Sequence, residues 1–399
     1  MNHRQRMLAA IRGEPADQIP WAPRLDLWSI AQQARGALSK EYRGLDTAGL
    51  ADAFGVACHA QRADYTQPRD PRDLALRGLG IDNHPDYPYR VELRSLPVEF
   101  HTEGDSIITR IRTPAGEVNT RLTLTDEMRR NGISLPLVED FAIRSADDLN
   151  AVAEVFEHLE VIPTPDAYAA FRRRIGDRGL AVANGIIGAS PMHLIFHDIA
   201  SQEDFIYLYN DQPEKLKELA RRMEPFYEKI LAAVTACEAE SVYWGCNYDE
   251  NLTWPAFFEE EISPWLRKVS ERLHAAGQFV LTHTDGENRR LMPLCRTCGF
   301  DIADSVCPRP MTRCTLKELR DGMGPGITVW GGLCSIAFLD DSMDEAGFRA
   351  FLDETFSSLG TGERLILGVS DMVPPNANLQ RLEHIKERVR AFGPVNPAR

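Results

Sequence analysis

The sequence has no apolar run long enough to cross a bilayer, no Gly-x-Gly-x-x-Gly turn after a strand-like segment and no Gly-x-x-x-x-Gly-Lys loop. These absences argue against a helical membrane protein, a dinucleotide fold and a P-loop nucleotide enzyme. Basic residues are outnumbered, 45 Lys and Arg against 59 Asp and Glu, and the net charge of -14 opposes a nucleic-acid surface. Met1 to Arg12 carries three arginines and a histidine but no hydrophobic run of signal length, so a cytoplasmic protein with no membrane partner is expected. Eight cysteines in 399 residues are too sparse for a disulfide scaffold.

What is present is a globular composition, 43% hydrophobic and 26% charged. Its carboxyl-terminal half alternates apolar runs with helix-length stretches. The strand candidates are Leu180 to Ile187, Ser241 to Cys246, Gln278 to His283, Asp301 to Val306, Ile327 to Leu333 and Arg364 to Val369. Helical patterns separate them at Pro213 to Cys237, Glu261 to Ala276, Asn288 to Cys298, Thr315 to Gly322 and Met343 to Leu359. Continuous apolar strands alternating with helices indicate parallel βα units. Polar or glycine-rich residues follow several strands, which favours a barrel with its chemistry on carboxyl-end loops.

The amino-terminal part reads differently. Ile19 to Arg24 and Phe54 to His59 are strand candidates, and residues 65–89 crowd proline, aspartate and arginine without periodicity, as a long loop would. Glu99 to Arg112 and Glu117 to Leu124, joined by a Pro/Gly turn, predict an antiparallel hairpin. The expected organisation is therefore one domain, 1–399, an α/β (β/α)8 barrel with a loop-and-hairpin insertion at 65–124.

Alternate residues of an extended strand end point to one side, so His283, Asp285 and Glu287 can converge on the barrel mouth. An imidazole beside carboxylates suits zinc or another divalent metal, a proton-transfer site, or a structural polar network. Asp371 follows the last strand on a proline-stiffened loop, next to the first strand if the barrel closes. Arg24 and Asp26 share an alternating face there, as an anionic-substrate clamp or an internal ion pair. Asn184, Tyr248 and Asp249 stand at strand ends as substrate contacts. His193 and His197 lie four apart among apolar residues and read as core or supporting groups. Cys295, Cys298, Cys307 and Cys314 read as buried thiols rather than a metal cluster.

From Arg4 to Pro20 the chain reads Arg-Gln-Arg-Met-Leu-Ala-Ala-Ile-Arg-Gly-Glu-Pro-Ala-Asp-Gln-Ile-Pro. With Asp249, Trp254 to Trp265, His283 to Cys307, Val329-Trp330-Gly331-Gly332 and Ile366 to Asn378, it resembles the uroporphyrinogen decarboxylase superfamily along its length. The resemblance implies a (β/α)8 barrel with a cleft at the carboxyl face. One branch decarboxylates a tetrapyrrole without metal or cofactor, using an acid and several amino-terminal arginines. Arg24 and Asp26 stand in that region, but the branch's Arg-Gln-Ala-Gly-Arg motif is absent. The other branch passes methyl groups to a corrinoid protein and binds zinc through a His-x-Cys pair and a later cysteine. His283 matches the histidine, Asp285 replaces the first cysteine, and Ser370 or Asp371 stands near the second. Carboxylates in place of thiolates suit an oxygenated substrate or water rather than thiol activation.

Three functions follow as expectations. The first is methyl transfer or demethylation of a small oxygenated compound with a corrinoid protein, with His283, Asp285 and Asp371 as catalytic metal ligands, Asp249 orienting substrate and Arg24 neutralising an anion. The second is a metal-independent lyase, decarboxylating an aromatic or tetrapyrrolic acid with Asp26 as acid. The third is non-catalytic corrinoid or tetrapyrrole binding. A homodimer is compatible with all three.

Overall fold

The computed structural model of the chain describes residues 1–61, 66 and 69–396. Strand β1 (Tyr89–Glu92) opens the sheet structure, followed by β2 (Val98–Glu103), β3 (Ser106–Thr113), β4 (Gly116–Thr123), β5 (Leu137–Asp140) and β6 (Glu160–Pro163). β1 pairs antiparallel with β6, and β2 to β5 form an antiparallel four-stranded sheet in sequence order. The turn of the expected hairpin joins β3 and β4, but its first segment, Glu99 to Arg112, is not one strand: the chain reverses at Gly104, φ 60°, into the paired strands β2 and β3. The β3–β4 turn is held by Thr113 Oγ1, which accepts from Ala115 N at 3.1 Å and donates to Gly116 O at 3.0 Å.

The parallel strands are β7 (Val182–Asn184), β8 (Ser241–Cys246), β9 (Phe279–His283), β10 (Ile302–Val306), β11 (Thr328–Cys334) and β12 (Leu365–Ser370). They form one six-stranded sheet, each paired with its sequence neighbour. Each overlaps its apolar run, and β8, β11 and β12 are buried at every position, as helices on the outer face require. The long helix Pro213–Thr235 and the helix Ser263–Ala275 are two of those covering elements.

Two expected amino-terminal strands are not regular strands. Pro20 and Pro23 lack the N–H groups a ladder needs, so 19–24 is held through Trp21 and its neighbours alone. Ala22 N donates to Leu367 O at 2.8 Å, and Leu367 N donates to Pro20 O at 2.9 Å. Phe54 ends the helix Thr47–Phe54, and the extended chain begins only beyond it. There Ala57 N donates to Trp21 O at 2.8 Å and Val182 N to Ala60 O at 2.9 Å. The two segments thus bond to each other and to β12 and β7, the two edges of the parallel sheet.

Part of the expected 65–89 loop is also ordered differently. Tyr65, Gln67 and Pro68 lie outside the described residues. Beyond them Asp70 caps a short helix, Pro71–Leu74, and a 3-10 turn follows at Arg77–Leu79.

A core separate from the helix-covered one lies inside this curled sheet. It draws Ala22, Ala57, Val182, Tyr243, Leu281, Ile302, Trp330 and Ile366 from the extended segments, with Met7, Leu8 and Ile11 of the helix His3–Arg12. That helix is anchored at the amino ends of strands, where Thr328 Oγ1 donates to Ala10 O at 3.2 Å and Arg364 Nη1 to Ile11 O at 2.8 Å.

At the Cys58–Gly179 bridge, a Cβ on Gly179 would sit 2.3 Å from the Cys58 carbonyl oxygen. Backbone cannot yield there cheaply, so Gly179→Ala is expected to lower stability by about 1–3 kcal/mol. Urea unfolding reads this as a lower midpoint; an unchanged midpoint would mean the second segment is not seated on the sheet edge.

Candidate functional site

The loops after the parallel strands surround a cavity of about 370 Å³. Arg24, Asp26, His283, Asp285 and Asp371, expected from sequence at three distant places, all line it. His283 Nε2 lies 3.9 Å from Asp285 Oδ2 and 3.8 Å from Asp371 Oδ1. In a flat sheet β9 and β12 would stand about 14 Å apart, so curvature of the sheet is what brings His283 to Asp371. Asp26 is not on a strand face but opens the helix Asp26–Ala34. Arg24 nevertheless reaches it, with Nε 3.2 Å from Asp26 Oδ1, while Arg24 Nη1 donates to Asp371 Oδ1 at 2.9 Å. The arginine therefore already holds two carboxylates.

Behind His283 stands Asp304, a residue the sequence reading left inside a strand. Asp304 is 2% exposed, and its Oδ2 accepts from His283 Nδ1 at 2.6 Å. Its Oδ1 accepts from the Gln61 amide. Burial works against charge on His283, but the Asp304 hydrogen bond, with Asp285 and Asp371 in front, outweighs it and pushes the imidazole up to about 9. The ring is thus an imidazolium at neutral pH, with Nδ1 on Asp304 and Nε2 toward the cavity. Asp285 is held above the usual carboxylate range by the protein around it, despite the opposing His283 charge. His59 also lines the cavity, edge-on to Trp330 at 5.1 Å, and burial pushes it down to about 4.

Four residues expected to contact substrate are placed elsewhere. Tyr248 is fully buried and its hydroxyl pairs with Thr282 Oγ1 at 2.8 Å. Asp249 caps the loop: Oδ1 accepts from Asn251 N at 2.8 Å and Oδ2 from Glu287 N at 2.9 Å. Glu287 accepts from Arg313 N at 2.8 Å and joins two loops. The alternation from His283 fails there because Gly286, at φ 91°, turns the chain before Glu287. Asn184 lines a separate pocket of about 20 Å³ and donates to Gly185 O at 2.9 Å.

Sequence reasoning missed Arg77, His59, Gln61 and Asn247, and read His197 as core or supporting, yet all five line the cavity. His193 is core, with no exposure, and is pushed down to about 3 by burial. All eight cysteines are buried and none is in a disulfide, and burial raises Cys295, Cys298, Cys307 and Cys314.

The fold has a solved counterpart. A methyltransferase from Methanosarcina mazei superposes with a TM-score of 0.56 over 98% of this chain and 99% of that one, at 16% identity. The chain matches no protein-family profile and no curated protein sequence. At that identity the likeness speaks for the architecture alone.

The donor set at His283 does not fit a metal as arranged. Among the described residues, no group of three or more His, Cys, Asp or Glu side chains is disposed to hold one. Asp371 Oδ1, the oxygen facing His283, is the atom Arg24 already binds. The arrangement can instead hold a polar oxygen beside His283 and deliver a proton to it from Nε2.

No helix among the described residues is long and apolar enough to cross a membrane.

Because His283 is raised from 6.5 to about 9 on folding, its stabilisation is complete below pH 6.5 and is lost as pH rises through about 9. Urea unfolding across that window should show falling stability. In Asp304→Asn the imidazole titration, followed by NMR, should drop toward or below 6.5 and the slope should vanish. An unshifted imidazole in the variant would contradict the pairing.

Proposed function

We propose that the chain is a divergent, cytoplasmic member of the uroporphyrinogen decarboxylase superfamily, a closed (β/α)8 barrel that removes a methyl group from a small oxygenated acid. The closure is supported by the two amino-terminal segments, which bond to each other and to both edges of the six-stranded sheet. The single observation that carries the reaction is the Asp304–His283 pair facing the cavity beside Arg24.

Breaking a methyl–oxygen bond leaves negative charge on the oxygen, which must be neutralised as the bond lengthens. His283 Nε2 is placed to donate its proton to that oxygen, and Asp304 holds the ring in the orientation that aims it. The methyl group leaves as the electron-poor partner, the bonding pair stays on oxygen, and the product is the free hydroxyl compound. The methyl acceptor would be a corrinoid on a partner protein, which would supply the nucleophile for that group. Leu252 and Met311, on loops after β8 and β10, are exposed and offer such a partner apolar contacts. No step requires zinc. Asp304, with Asp285 and Asp371 in front, keeps the imidazole charged.

The tetrapyrrole reading is weaker on charge grounds. A substrate with many carboxylates needs several free cations, whereas among the described residues two arginines line the cavity and Arg24 is already matched by Asp26 and Asp371.

The test is transfer of isotope-labelled methyl from a panel of methoxy acids to reduced cobalamin, with metal content measured on the same protein. We expect labelled methylcobalamin at sub-stoichiometric metal, and a loss of at least ~100-fold in kcat for His283→Gln. Release of carbon dioxide without methyl transfer, abolished in Asp26→Asn, would assign the pocket to decarboxylation instead. Tight cobalamin binding with no turnover would make the protein a carrier, and stoichiometric metal needed for activity would overturn the proton-donor role.

A further inference from the structure

A second wall of the cavity is built by Arg77, His197 and Asn247. Asp198 lies behind it and is shared: its Oδ1 accepts from Arg77 Nη1, and its Oδ2 from His197 Nδ1 at 2.8 Å. Asp198 is 2% exposed and Arg77 8%, so neither charge is relieved by bulk water. One carboxylate between two cationic groups leaves the wall net positive. Arg77 Nε, buried, has no hydrogen-bond partner among the described residues. A buried guanidinium donor left unpaired costs free energy that a bound acceptor would recover. His197 Nε2 lies 2.9 Å from the Asn247 side-chain amide, whose oxygen, with the amide flipped, accepts from the imidazolium. Burial opposes charge on His197, yet Asp198 and Cys246 hold it well above its ordinary value.

The Arg24 wall has the opposite balance, because Arg24 faces both Asp26 and Asp371. An anionic group entering the cavity therefore meets repulsion on the Arg24 side and an unmatched cation on the other. Arg77 also borders the pocket of about 20 Å³, which holds roughly one water, so only the main cavity has room for a ligand.

We propose that Arg77 and His197 form the anion-recognition wall of this site, and that the substrate is a small carboxylic acid whose carboxylate docks there while its methyl-bearing oxygen faces His283. The assignment of the reacting end rests on the demethylation reading; the anion wall does not. It moves the substrate-anchoring role from Arg24 to a residue in the proline- and arginine-rich stretch before β1.

The test is calorimetric binding of methoxyacetate, 3-methoxypropionate and 4-methoxybenzoate to the full chain, each beside its uncharged amide. At least one acid should bind at least tenfold more tightly than its amide. His197→Gln and Arg77→Gln should abolish that preference, with circular dichroism confirming the fold. If Arg77→Gln does not fold, His197→Gln and the wild-type acid-to-amide ratio still decide. Equal affinity for every acid and amide, no binding of any acid, or an acid preference that survives in folded Arg77→Gln would each overturn the proposal. Acid preference without methyl transfer would leave the wall standing and remove the demethylation reading. Methyl transfer from acid and amide at equal kcat/KM would do the reverse.

Discussion

A carboxylate buried inside a parallel sheet must find donors, and Asp304 finds them from two directions. His283, on the neighbouring strand, takes one oxygen, and Gln61, from the second amino-terminal segment, takes the other. In a flat sheet Gln61 and Asp304 would stand about 19 Å apart, since β7, β8 and β9 lie between them. Their direct contact requires the sheet to curl until its far side faces its near side. Leaving Asp304 half-satisfied would cost several kcal/mol, so the curl and the hydrogen bonds support each other. The same carboxylate fixes which imidazole nitrogen faces the cavity.

That constraint sets the charge layout of the mouth. Asp371 is kept on Arg24 by a braced loop: Val373 N donates to Arg24 O at 3.0 Å, and the Gln32 amide donates to Pro375 O. Arg24 is thereby committed to its own protein, a structural role its sequence context left open. The cavity becomes asymmetric, with a proton donor and matched ion pairs on one side and an unmatched cation on the other. A substrate with one anionic end and one polar end is the complement of such a surface.

The sequence made the parallel strands legible because both faces of each are buried, so apolar runs such as Ser241 to Cys246 need no tertiary information. His283, Asp285, Asp371, Arg24 and Asp26 were legible for a related reason: polar residues at the carboxyl ends of such runs have few places to go except the mouth. Asp304 was not, because an acid within the run Ile302 to Val306 looks like a lapse in the pattern until its partners are known. Tyr248, Asp249 and Glu287 share the spacing of site residues, yet Tyr248 turns inward to Thr282 of β9, Gly286 reverses the backbone, and the loops consume the carboxylates of Asp249 and Glu287. Arg77 had no local signal at all. Its position is set by contacts with residues more than thirty places away.

Those contacts explain what the antiparallel sheet does for the barrel. Thr109 of β3 donates to Ala75 O at 3.1 Å, and Gly78 lies so close to Thr120 of β4 that an added Cβ would be 2.6 Å from it. The sheet thus grips both sides of Arg77 and presents it to Asp198. The chain leaving β4 passes through the helix Asp126–Arg130, and Gly132 to Leu135 then line the cavity. Arg35 Nε donates to Arg130 O at 2.7 Å, tying that roof to the segment that follows Asp26. A surface ornament would not need to reach either wall. The sheet reaches both, so the strands outside the parallel sheet position Arg77, the residue to which we assign anion recognition.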